Sequence, residues 1–72
     1  MEPIVIDGRE MVPPEPLERT VAALDSLPVD GEILLLLHCS PQPLFNILRN
    51  SGYSWREDVV ADGTHEIRIR RG

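Results

Sequence analysis

The chain has 72 residues, 42% of them hydrophobic and 26% charged, with one cysteine and a net charge of −5. That length suits one small domain, expected over residues 1–72, which buries only about 60% of its unfolded surface, and the apolar fraction argues against a disordered chain. The lone cysteine excludes an internal disulfide and suits a reducing, cytoplasmic setting, while the acidic balance argues against general binding to nucleic-acid phosphates.

The charge is unevenly placed. Residues 1–36 hold eight acids against Arg9 and Arg19, and residues 37–72 hold four acids against five arginines. The opening MEPIVIDGRE has neither a basic segment nor a long apolar core, so no signal peptide is expected.

Ile4-Val5-Ile6, closed by Asp7-Gly8, predicts a buried strand and a turn. Three prolines, Pro13, Pro14 and Pro16, then precede a helical pattern. Leu17, Val21, Leu24 and Pro28 share one face, with Thr20, Ala23 and Leu27 beside them. The first N–H groups of a helix lack internal acceptors, so proline loses nothing there. Pro14 and Pro16 are placed in that first turn, and Pro13 restrains its entry. Glu15 and Glu18 complement the helix dipole, and Glu15 stands one turn ahead of Arg19. Pro28, Asp30 and Gly31 predict the stop.

Ile33 to Leu37 is a continuous apolar run of strand length, read as a fully buried central strand. It is too short to span a bilayer, so no membrane partner is expected. Ser40 as N-cap and Pro41 at the first helical position predict a second helix. Leu44, Ile47 and Leu48 form its inner stripe, Phe45 flanks them, and Gly52 ends it. Tyr53 to Val60 is β-rich, with Tyr53, Trp55 and Val59 expected on the inner face. Asp62-Gly63 predicts a two-residue hairpin turn. Thr64 to Arg70 alternates, with Ile67 and Ile69 inward and Glu66, Arg68 and Arg70 outward.

The order β-α-β-α-β-β, with a right-handed crossover, predicts an α/β (α+β) two-layer sandwich. Its four-stranded mixed sheet is covered on one face by two helices. The first two strands are apolar on both sides, which predicts a contact on the open sheet face, with a homodimer or a protein partner.

Pro14-Glu15-Pro16-Leu17 and Pro41-Gln42-Pro43-Leu44 form an internal echo, so Ser40, Pro41 and Pro43 mark a second proline helix start. Cys39 has two readings. A thiol near a helix N-terminus can be activated, whereas the commoner case is a small buried residue at a strand end. His38 adjoins it, but strand neighbours point to opposite faces unless the chain has turned. His38, His65 and Cys39 lack a metal-ligand spacing, so no metal or cofactor is expected. No Ser-His-Asp or Gly-rich constellation marks an ordinary enzyme.

Asp7 to Pro16 resembles the opening motif of the TusA-like (SirA-like) sulfur-carrier family. That motif runs Asp, any residue, Arg, Gly, Leu, any residue, Cys, Pro, any residue, Pro. Asp7, Arg9, Pro14 and Pro16 match, Glu15 fills the free position, Met11 stands for leucine and Glu10 for glycine. Pro13 stands where the sulfur carriers have the cysteine that bears a persulfide. The pattern more closely resembles the cysteine-less TusA-like domains of unknown function found in bacteria. These often carry a second His/Asp-Pro-x-Pro-Leu motif, here His38-Cys39-Ser40-Pro41-Gln42-Pro43-Leu44. The resemblance spans nearly the whole chain. It implies the same two-layer fold and a non-catalytic interaction module linked to sulfur or redox metabolism. The alternative is a sulfur carrier that uses Cys39.

Overall fold

The computed structural model describes residues 2–71; residues 1 and 72, the ends of the expected domain, lie outside the described residues. The elements are β1 (Ile4–Asp7), α1 (Glu15–Asp25), β2 (Glu32–Leu37), α2 (Gln42–Asn50), β3 (Tyr53–Val59) and β4 (His65–Arg71). The sheet order is β1-β2-β4-β3, with β1 parallel to β2 and the other pairs antiparallel. The expected α+β sandwich with its mixed sheet is therefore the fold observed.

Alternation builds the core. Ile33, Leu35 and Leu37 of β2 point to the helices together with Ile67 and Ile69 of β4, and all five are buried. Leu44 and Leu48, one turn apart on α2, close over them with Phe45, and Leu24 in the last turn of α1 and Leu27 just beyond it do the same. Thr20 is buried too, and its hydroxyl donates to the Pro16 carbonyl at 2.8 Å, so that hydroxyl is not stranded.

The structure corrects several expectations. β1 is an edge strand rather than a buried one: Ile6 is buried, but Ile4 is 38% and Val5 59% exposed, because only one neighbour flanks the strand. β2 is central but not fully buried. Leu34 and Leu36 are half-buried on the open face, opposite Arg68 and Glu66. Arg68 and Arg70 there share Glu32 at 3.5 and 3.6 Å, so an ion-pair row narrows the apolar stripe. α1 ends at Asp25, short of Pro28, because the chain tightens there into i→i+3 bonds, the Ser26 N–H donating to the Ala23 carbonyl at 3.1 Å and the Leu27 N–H to the Leu24 carbonyl at 3.2 Å. Pro28 is consequently exposed, off the helix face assigned to it.

Ser40 is not the N-cap of α2. Pro41 takes that place, and the Ser40 hydroxyl is engaged elsewhere. Pro14 is likewise the N-cap of α1, joined to Pro13 by a cis peptide. Pro16 and Pro43 each follow the first helical residue, where no N–H is needed. Replacing either by alanine should lower stability by about 0.4–1 kcal/mol, chiefly by loosening the unfolded chain. Urea midpoints left unchanged in both Pro16→Ala and Pro43→Ala would show that these prolines stiffen nothing.

The hairpin between β3 and β4 is longer than the expected two-residue turn. Val60 N–H donates to the Thr64 carbonyl at 3.0 Å, and residues 61–63 form the loop. Gly63 holds φ +87°, the left-handed position that closes such a three-residue loop. This register sets Trp55 opposite Ile69, on the helix-facing side. The Trp55 ring stacks on Phe45 with centroids 5.0 Å apart, and the Arg49 guanidinium lies 5.7 Å from its centre. Val59 was expected inward but is 61% exposed.

Candidate functional site

β1 and β2 run parallel, so the two segments that follow them leave the sheet at the same end. Each segment leads into a proline helix start. The two junctions consequently face one groove of about 370 Å³. Arg9, Met11, Pro13, Pro14 and Pro16 line it from the first junction, and His38, Cys39, Ser40, Pro41 and Pro43 from the second. Leu35, Leu37 and Leu44 supply buried apolar surface beneath. The carboxyl ends of parallel strands are where open α/β sheets bind ligands.

Arg9 is fixed by Asp7. Its Nε and Nη2 donate to the two carboxylate oxygens at 2.9 and 2.8 Å, and its backbone N–H adds a third bond at 3.2 Å. This fork explains an acid and an arginine two residues apart at a turn. The Arg9 side chain and backbone donors hold the Asp7 carboxyl down at about 2, from an ordinary 3.8. Arg9 is correspondingly raised. Because the folded value is the depressed one, the stabilisation is complete above roughly pH 4 and is lost as pH falls towards 2. Asp7→Asn should therefore melt below the parent at neutral pH, with the gap closing between about pH 4 and pH 2. A gap that does not change with pH would contradict this role for Asp7.

Cys39 is exposed, against the expectation of a small buried residue. β2 ends at Leu37, so residues 38 and 39 lie in a bend beyond the sheet. The chain has already turned there, and His38 and Cys39 line the same groove. Glu15 lies apart from it: its carboxylate pairs with Arg19 at 3.3 Å. His65 is also apart. Its Nδ1 is 2.8 Å from Glu57 Oε2, while Glu57 Oε1 accepts from the Ser40 hydroxyl at 3.3 Å. Gln42 Nε2 donates to that same hydroxyl at 3.1 Å.

Sequence reasoning missed Glu57. Only the three-residue hairpin makes Glu57 and His65 diagonal neighbours across the strands. The trio Ser40, Glu57 and His65 is not a nucleophilic triad, because the hydroxyl meets the carboxylate and not the imidazole. Among the described residues, no three His, Cys, Asp or Glu side chains gather as metal ligands. None of the described helices is long and apolar enough to cross a membrane.

The family described as "Uncharacterized conserved protein (DUF2249)" matches residues 5–71. The chain belongs to the DUF2249 family. Among solved structures, this DUF2249 chain is similar to the crystal structure of the SirA-like protein from Desulfitobacterium hafniense. The two share 29% identity and a TM-score of 0.81, over 92% of this chain and 93% of that one. The SirA-like (TusA-like) fold is thus shown by structure as well as by element order. No curated protein sequence matches the chain.

Proposed function

We propose that this DUF2249 chain is a non-catalytic binding module on a sulfur-carrier scaffold. It works in the reducing cytoplasm and docks on a protein of sulfur or redox metabolism. The groove between the two helix starts receives an apolar group of that partner. The observation that carries this reading is the meeting of both proline junctions on one mostly apolar groove. Pro13 stands on it where the resemblance places the sulfur-bearing cysteine. Proline has no nucleophile, so the site keeps a rigid cradle and lacks the carrier chemistry.

A second reading is favoured by one observation: Cys39 is exposed on the same groove. In that reading its thiolate attacks the outer sulfur of a desulfurase persulfide. A sulfur–sulfur bond forms on Cys39, and the desulfurase cysteine leaves as a thiolate. Incubation with a cysteine desulfurase and free cysteine, followed by mass spectrometry, separates the two. The binding-module reading expects an unmodified Cys39. A stable gain of one sulfur atom there would overturn it in favour of the carrier.

A further inference from the structure

A second concavity lies on the other side of α1. It runs between that helix and the outer edge of β1, and Ile4, Ile6, Met11, Glu18, Ala22 and Ala23 line it. β1 ends the sheet on this side. The Gly8 N–H donates to the Leu36 carbonyl at 2.8 Å. Bonding direction alternates along a strand, so Ile4, Ile6 and Gly8 offer their backbone groups to β2. Val5 and Asp7 then offer theirs to the free edge, as two donors and two acceptors in a row.

A free edge strand beside a helix is the arrangement by which strand-adding domains take up an extended peptide. Backbone bonds supply affinity, and alternate side chains fill the cleft. Ala22 and Ala23 are small and leave room for such side chains. Pro3, just ahead of β1, has no N–H and limits the pairing to the short strand itself.

Charge selects the occupant. Both arginines of residues 1–36 are already paired within that half, Arg9 with Asp7 and Arg19 with Glu15. Eight acids stand against those two arginines, and the cleft itself holds Asp7, Glu15 and Glu18 against Arg19 alone. A second copy pairing edge to edge would bring the same acids into register, which opposes self-association here. We propose that the β1 edge and the α1 cleft bind an extended basic segment of a partner protein by strand addition. Its apolar side chains lie against Met11, Ala22 and Ala23, and a lysine or arginine meets Glu18. This surface shares only Met11 with the groove between the helix starts, so it stands or falls independently of the function proposed above.

The test uses the capped hexapeptide Lys-Val-Lys-Lys-Lys-Val, whose second, fourth and sixth side chains share the face towards α1 so that two valines and one lysine enter the cleft, titrated into the isotope-labelled full chain and followed by NMR. The Val5 and Asp7 amides should shift and exchange more slowly on binding. Glu18→Lys should weaken binding about two- to fivefold, as expected for one exposed charge pair. Ala22→Trp, at an exposed helix position, should block binding while leaving the spectrum of the core unchanged. A peptide of equal charge, N-methylated along its pairing edge, should fail to bind. Equal binding by that N-methylated peptide would reduce the effect to charge alone and overturn the proposal. Shifts confined to other surfaces would do the same. So would a peptide-free chain with protected Val5 and Asp7 amides and a dimer's mass by light scattering, since a second copy would then hold the edge.

Discussion

Leu35→Ala should lower stability by about 2–5 kcal/mol. Leu35 is 1% exposed at the middle of the central strand, with Ile6 beside it on β1 and Ile67 on β4. It also supplies surface beneath the groove, so truncation leaves a cavity that neighbours on a hydrogen-bonded sheet cannot collapse to fill. A domain of this length has roughly 4–11 kcal/mol in total. The loss would take a large share of it, and the melting temperature should fall by about 4–8 °C per kcal/mol. Leu34→Ala is the paired control, because Leu34 is only half-buried on the open face. Urea midpoints at unchanged slope would report both. A greater loss at Leu34 than at Leu35 would mean that the two faces of the sheet are reversed.

Gly8→Ala should cost about 1–3 kcal/mol through overpacking. An added Cβ would stand 2.7 Å from Leu37 Cδ2, 3.2 Å from Pro16 Cβ and 3.3 Å from the Leu36 carbonyl oxygen. The leucine end could swing, but the proline ring and the backbone carbonyl are stiff. Gly8, Pro16 and Leu37 all line the groove, so the strain should also change its shape. The rate at which a thiol reagent labels Cys39 would read that change, beside the denaturation midpoint. A variant with parental stability and parental labelling rate would show that Gly8 is not the spacer between β2 and the first helix start.

What the sequence made legible follows from local patterns. The strict alternation of Glu66, Ile67, Arg68, Ile69 and Arg70 assigned both faces of β4 correctly, since period two has one solution when one face is buried. Two parallel strands each followed by a helix also imply that both helix starts share one sheet end, which is why the two proline motifs meet. The central place of β2 was legible in its continuous apolar run, but the edge place of β1 was not. Ile4-Val5-Ile6 reads the same at an edge as in the centre, because apolarity does not count neighbours. The hairpin register was not legible either. Asp62-Gly63 signals a two-residue turn, yet Gly63 closes a loop of three. A two-residue turn would have set Trp55 opposite Arg70 and turned it to the open face. Cys39 is exposed for a related reason: β2 stops at Leu37, two residues short of carrying Cys39 onto the helix-facing side with Leu35 and Leu37.

The same register has a practical consequence. Tyr53 and Trp55 are the sole tyrosine and the sole tryptophan, and they stand on one face of β3. The Tyr53 hydroxyl donates to the Leu24 carbonyl at 3.5 Å, in the last turn of α1, whereas Trp55 stacks on Phe45 of α2. Each aromatic chromophore therefore touches a different helix. Near-ultraviolet circular dichroism separates tyrosine from tryptophan bands, so the order in which those bands collapse on heating tells which helix leaves the sheet first, in the unlabelled chain.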